Sequence, residues 1–307
     1  MTAIRTTAGP VAVEDITGTT LAHEHLAIDL RTPGDPAGML AQEDEIIAEL
    51  ADCRERFGLS LVVDLTCRGM GRDVLAVDRI ARAAGVHAVV ATGYYYEKFH
   101  RPEVAEWDAE RLAADLVAEI ENGCDGTGIQ PGVLGEIGSH GAEPTPSEER
   151  SLRAAALAAV ATGLSVATHA HLGNGGLGQL ELLASTGLEP HRISIGHQDL
   201  WRDHAQHRAI AEQGGYVAFD TFGKNSYRPD AERIGAVLEF IEAGHAERAL
   251  LSNDISRDPY LRVNGGPGYS HVLDESAAAL RAAGVDDDTM DLLYRRNLVR
   301  FLTGDPR

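Results

Sequence analysis

Eight short, β-rich apolar runs, each ending in polar residues and followed by an amphipathic stretch, set the tightest limit on how this chain can fold. They are LAHEHL (21–26), LVVDLT (61–66), AVVATGYY (88–95), PGVLGEIG (131–138), LSVATHAH (164–171), ISIGHQD (193–199), GYVAFDTF (215–222) and ALLSNDIS (249–256). From His25 in the first run to Asp254 in the last there are seven steps of roughly 33 residues, about one strand plus one crossover helix. That spacing predicts parallel strands, and the near-continuous apolar character predicts burial on both faces. Between strands, Thr145-Pro146-Ser147-Glu148 reads as a helix start, with an N-cap, a proline at the first helical position and a glutamate reaching back. Leu152, Ala156, Ala159 and Val160 then form an apolar face, and Gly163 ends the helix. Eight such steps predict a (β/α)8 TIM barrel rather than a doubly wound nucleotide-binding sheet, because no G-x-G-x-x-G follows the first strand. Gly173, Gly175, Gly176 and Gly178 read as a flexible loop after the fifth strand, without the lysine or acidic partner of a nucleotide site. A single domain over 1–307 is expected, the barrel running from about 18 to about 303.

Charge and composition narrow the partners. The formal charge is −20 and no basic stripe interrupts it, so nucleic acid is not an expected partner. With 44% apolar and 24% charged residues and no apolar run of about 18, a membrane protein is not expected either. The first residues lack a basic segment followed by an apolar core, which makes the cytoplasm the expected compartment. Cys53, Cys67 and Cys124 are odd in number, far apart and free of C-x-x-C, as reduced buried thiols would be. Lys98 and Lys224 are the only lysines among 27 basic side chains.

The polar residues that end the runs carry the chemistry. In an extended strand His23 and His25 share a face while Glu24 points the opposite way. Alone, such a pair is more often two hydrogen-bonded core histidines than a metal site. Glu136, His169, His197 and Asp254 end the fourth, fifth, sixth and eighth runs, and in a barrel all these ends open at one face, where active sites of this fold lie. Six metal-competent groups are thus expected to converge, of a type that suits Zn, Mn, Fe or Co. Around them, Asp199 and Asp220 are placed to orient ligating histidines through the second ring nitrogen. Tyr94, Tyr95, His171, Lys224, Arg257 and Arg262 are expected at the same mouth as substrate contacts. His87, His191, His204, His207 and His245 are expected to be solvated.

These motifs, in order, resemble the phosphotriesterase family of the amidohydrolase superfamily. The likeness covers His-x-His, V-V-D-L-T with Gly71-Arg72-Asp73, A-T-G-Y-Y, T-H at 168–169, I-G-H-Q-D, F-D-T-F-G and L-S-N-D, from about residue 15 to 303. The resemblance implies two divalent ions per chain, zinc foremost. His23, His25 and Asp254 would hold the more buried ion, and His169 and His197 the more exposed one. A bridging hydroxide would attack a carboxylic ester, a lactone or an N-acyl amide bearing an acidic group, and Asp254 would carry the proton to the leaving group. Many members bridge the ions with a carboxylated lysine; here Glu136 stands at that position, as in the homology-protein and animal branches, and Asn264-Gly265-Gly266-Pro267-Gly268-Tyr269-Ser270-His271 also looks like that branch. Glutamate is shorter than a carboxylated lysine, so either the ions sit closer to the fourth strand or that strand bulges inward. Two alternatives stay open: a phosphotriesterase, or a metal-containing barrel that only binds. The likeness also implies a small-molecule substrate and a homodimer.

Overall fold

Each of the eight runs contributes one strand to a single sheet in the computed structural model, which describes residues 3–306. The strands are β1 (Thr20–Glu24), β2 (Leu61–Asp64), β3 (His87–Thr92), β4 (Val133–Ser139), β5 (Val166–Ala170), β6 (Ile193–Ile195), β7 (Tyr216–Phe219) and β8 (Ala249–Leu251). Neighbours in sequence are neighbours in the sheet, and every pairing is parallel. The sheet curls until β8 meets β1: the Asp254 amide donates to the His23 carbonyl (3.2 Å) and the His25 amide to that of Ile255 (3.3 Å). The result is a (β/α)8 TIM barrel. His197 and Asp254 lie beyond the ends of β6 and β8, whereas His23, Glu136 and His169 stay within β1, β4 and β5, and together these run ends build the mouth.

Seven helices follow the first seven strands in turn: α1 (Glu43–Phe57), α2 (Val74–Ala84), α3 (Ala109–Asn122), α4 (Pro146–Thr162), α5 (Gly176–Ala184), α6 (His204–Glu212) and α7 (Asp230–Glu242). Further helical turns between Val272 and Thr303 follow β8. Alternation along the strands separates two apolar layers. Val62, Val90, Ile195 and Phe219 point outward against Leu50, Val77 and Leu116 of the helices. Leu61, Val63, Val89, Ala91 and Val133 fill the interior, where Ile4, Ile16, Leu298 and Phe301 close the floor beneath the strand starts.

The start of α4 is a capping box: Thr145 Oγ1 accepts from the Glu148 amide, and Glu148 Oε2 accepts from the Thr145 amide (2.9 Å). Its apolar face differs from the expected one at Val160, which is 52% exposed, because Ala154, Ala155 and Ala158 cover the sheet instead. Gly176 and Gly178 belong to α5 rather than to a flexible loop, with Gly175 in a left-handed conformation at the N-cap. His207 is buried, not solvated: Nε2 meets the Gln198 carbonyl at 2.8 Å, and burial, then the neighbouring His204, push its pKa down to about 4. No helix among the described residues is long and apolar enough to cross a membrane.

Candidate metal centre and active site

Two departures from regular strand geometry bring the polar residues inward. On β4, strict alternation from Val133 would point Glu136 outward, but the register against β5 shifts between Leu134 and Ile137. Glu136 therefore faces the barrel mouth while Ile137 packs outward, so the strand adopts the inward bulge. At the ends of β6 and β8, His197 (φ 58°) and Asp254 (φ 53°) adopt the left-handed conformation that residues with a Cβ rarely occupy. Such residues cost about 1–2 kcal/mol each and persist where the surroundings over-determine them. His197 is pinned by its amide on Asp220 Oδ1 (2.9 Å), and Asp254 by its amide on the His23 carbonyl.

The geometry centres on Glu136. Its Oε1 lies 2.8 Å from His169 Nδ1 and 3.1 Å from His197 Nε2, and those two nitrogens are 2.9 Å apart. Its Oε2 faces the other pair, 3.6 Å from His23 Nε2 and 3.7 Å from His25 Nε2. Asp254 Oδ1 joins that pair at 3.3 Å from His25 Nε2 and 4.0 Å from His23 Nε2. One carboxylate thus divides its oxygens between two histidine pairs. The far ring nitrogens are fixed from behind. Asp220 accepts from His23 Nδ1 (2.7 Å) through Oδ2 and from His197 Nδ1 (3.0 Å) through Oδ1, while Thr66 Oγ1 sits 2.8 Å from His25 Nδ1. This leaves Nε2 of His23, His25 and His197 facing inward, while His169 presents Nδ1. Glu24 points the opposite way, as alternation predicts, and accepts from Ser252, Asn253 and the Ile255 amide to bind β1 to β8.

The electrostatics of this cluster call for a cation. Burial raises the pKa of Glu136, but His23 and His169 overcome it and hold the carboxyl well below its usual range. Asp254 and Asp220 are likewise depressed against the effect of burial, Asp254 first by Lys224 and Asp220 first by His197. Conversely, burial would lower His197, but Asp220 and Glu136 hold it up at about 10. Two buried anions, Glu136 and Asp220, and the partly buried Asp254 therefore surround imidazoles that would otherwise carry the compensating protons. His23 Nε2 and His169 Nε2 are buried without a hydrogen-bond partner. Three groups could hold a metal ion, their donor atoms lying within 4.8 Å of one another: His23, His25 and Glu136; Glu136, His169 and His197; and His23, His197 and Asp220. An orphaned imidazole nitrogen aimed at carboxylates, in an all-imidazole and carboxylate donor set, fits a divalent ion.

Sequence comparison agrees with this arrangement. Residues 2–302 match the phosphotriesterase family. The chain belongs to the phosphotriesterase family. It is 38% identical to the phosphotriesterase homology protein of Escherichia coli over 94% of this chain and 98% of that protein. The crystal structure of that E. coli protein, complexed with phosphate in its active site, superimposes with a TM-score of 0.91 over 94% of this chain and 99% of the other. N-acetyltaurine hydrolase from Danio rerio is 27% identical over 98% of this chain and 97% of its own length. A lactonase from Listeria monocytogenes matches in structure with a TM-score of 0.89 and 26% identity over 98% of both chains. Like these relatives, the chain is a hydrolase of the family, in which metal dependence is general.

In this phosphotriesterase-family barrel a cavity of about 200 Å³ opens above the cluster. Of the residues expected there, Tyr95, His171, Lys224 and Arg257 line it, together with Glu136, His169 and Asp254. Tyr95 Oη approaches His169 Nδ1 at 3.2 Å, and His171 stacks on His140 with ring centroids 3.8 Å apart. Burial, then His140, lower the His171 pKa to about 4. Two expected residues are not brought to the mouth. Tyr94 is fully buried, its hydroxyl accepting from Arg68 at 2.9 Å, because the strand direction sends the first tyrosine into the sheet–helix layer and the next two toward the cavity. Arg262 turns outward to Ser270 Oγ (3.1 Å) and Asp52 (3.8 Å). Lys224 does not wait for substrate: it is buried and ion-paired with Asp254 Oδ2. Asp199 touches no ligating histidine and instead accepts from Arg233 Nε (2.7 Å) and Thr221. Sequence reasoning missed Tyr96, Lys98, Phe99 and Asp35 on the cavity wall. The run of three tyrosines was the available signal for Tyr96; the others sit on loops with no periodicity.

Proposed function

We propose that this hydrolase cleaves a small carboxylic ester, lactone or N-acyl amide, using two divalent ions per chain with zinc foremost. In this reading residues 1–307 act as one catalytic domain, in the cytoplasm and as a homodimer. The observation that carries it is the division of Glu136 between two histidine pairs. His23, His25 and Asp254 would hold one ion, His169 and His197 the other, and Glu136 would bridge them. Bound there, the ions supply a water acidified toward neutral pH and a Lewis acid for the oxygen of the scissile group.

The chain's own groups do the rest. Asp220 and Thr66 fix the tautomers of His23, His197 and His25 so that each presents Nε2. Asp254 takes the proton of the attacking water and passes it to the leaving group, while Lys224 on Oδ2 fixes the rotamer and leaves Oδ1 toward the imidazoles. Tyr95 Oη, beside His169 on the cavity wall, would donate to the carbonyl oxygen of the substrate. The names of the Danio and Listeria relatives support acyl substrates. Phosphotriester hydrolysis is the second reading, favoured by the phosphate in the active site of the E. coli relative.

Metal analysis of the purified protein is the first test, followed by a screen of lactones, N-acyl amino acids and a chromogenic phosphotriester with and without chelator. About two metals per chain and chelator-sensitive turnover are expected. Metal without turnover of any of these would favour a barrel that only binds, and less than one equivalent would remove the centre altogether.

A further inference from the structure

The only two lysines of the chain line the same cavity. Lys224 is neutralised by Asp254, and the third cation there, Arg257, by Asp35 at 2.8 Å. Among the described residues Lys98 has no carboxylate within ion-pairing distance; its only close partner is the Phe99 ring, 5.1 Å from Nζ to the centroid. The turn that carries it is built. The Phe99 amide donates to the Tyr96 carbonyl (2.9 Å), and His100 Nε2 meets the Tyr95 carbonyl (3.0 Å). Gly69 lets the chain pass so close that a Cβ there would collide with the Phe99 carbonyl. The acidic neighbour, Glu97, is turned away, its amide on Glu148 Oε1 (3.3 Å) and its carboxylate on Ser147 Oγ (2.9 Å) at the start of α4. In a chain of net charge −20, an ammonium with no counter-charge is thus held on a fixed turn at the rim of the active-site cavity.

We propose that Lys98 is the anion-recognising residue of this enzyme, and that its substrate is a small acyl compound with a carboxylate or sulfonate at the end remote from the scissile bond. The inference rests on the acyl-hydrolase reading. A strongly hydrated point charge on a flexible stem suits an anionic group whose exact geometry varies, and Phe99 beside it offers an apolar wall to the adjoining methylenes. Lys98 touches substrate and not the reacting atoms, so its effect falls on KM.

The test compares two esters of equal acyl length, p-nitrophenyl butyrate and p-nitrophenyl hydrogen succinate, on the metal-loaded full chain. The wild type is expected to prefer the succinate. In Lys98→Met the ratio of kcat/KM for succinate over butyrate falls about tenfold, chiefly through KM, and Lys98→Arg restores most of it. Raising the salt from about 0.02 to about 0.5 M erodes the preference of the wild type and not that of Lys98→Met. An unchanged ratio in Lys98→Met overturns the proposal while leaving the hydrolase standing. If neither ester is hydrolysed, the acyl-hydrolase reading is what fails, and calorimetric binding of glutarate decides on Lys98: about tenfold weaker binding to Lys98→Met supports the site, and equal binding overturns it.

Discussion

Asp220 serves two imidazoles with one carboxylate, so its loss should loosen both halves of the centre at once. Asp220→Asn keeps the volume but offers only one acceptor oxygen, and metal affinity measured by competition with a chromogenic chelator should fall about 10- to 100-fold. Asp254→Asn should separate binding from chemistry: kcat is expected to fall by about 10²- to 10⁴-fold in a protein that still holds metal. Full activity in that variant would remove the proton role. At this scale the sequence was legible where the residue type itself is rare and chemical. The six candidate ligands all lie at one mouth, because any polar group ending an apolar strand of a barrel must emerge there. It was illegible where two neighbours differ only in direction. Tyr94 and Tyr95 are chemically identical, yet one stiffens the sheet–helix layer and the other reaches His169.

Among the elements, β4 and β5 show how strand packing sets the site. Gly138 of β4 faces His169 of β5 so closely that an added Cβ would lie 2.7 Å from His169 Cβ. Gly138→Ala should therefore displace the imidazole, costing about 1–3 kcal/mol in urea unfolding and lowering metal occupancy together. Helix α3 contributes a different device. Its Glu119 is buried, which would raise its pKa, but Arg72 and then Arg68 hold it down at about 2, and Thr92 of β3 donates to it as well. Unfolded, the same carboxyl titrates near 4.5. Its contribution to stability, about 3 kcal/mol, is complete above about pH 4.5 and drains away as the pH falls toward 2. Glu119→Gln should lower stability at neutral pH and flatten that stretch of the curve of unfolding free energy against pH. Strands and the α4 cap were readable because apolar runs and a capping box act locally. The bulge in β4 is one of the two alternatives that the shortness of Glu136 leaves open. The face of α4 and the loops over the mouth were not readable, since both depend on what packs against them.

On the scale of the molecule, three clustered carboxylates, two of them buried, in an already acidic protein would make any cation bound among them part of its stability. Stripping metal with a chelator at neutral pH should lower the melting temperature by roughly 4 °C or more per site that had been saturated a hundredfold above its dissociation constant. Thermal melts before and after reconstitution measure it. The scarcity of lysine has an outcome of its own at this scale. Reagents that acylate amines usually decorate a protein in dozens of places, but here Lys224 is 7% exposed and locked to Asp254, which leaves Lys98 as the one lysine open to solvent. Beside the α-amino group, such a reagent finds one side-chain amine, at the entrance of the cavity, so a fluorophore placed there would sense what enters and at the same time cancel the charge of Lys98.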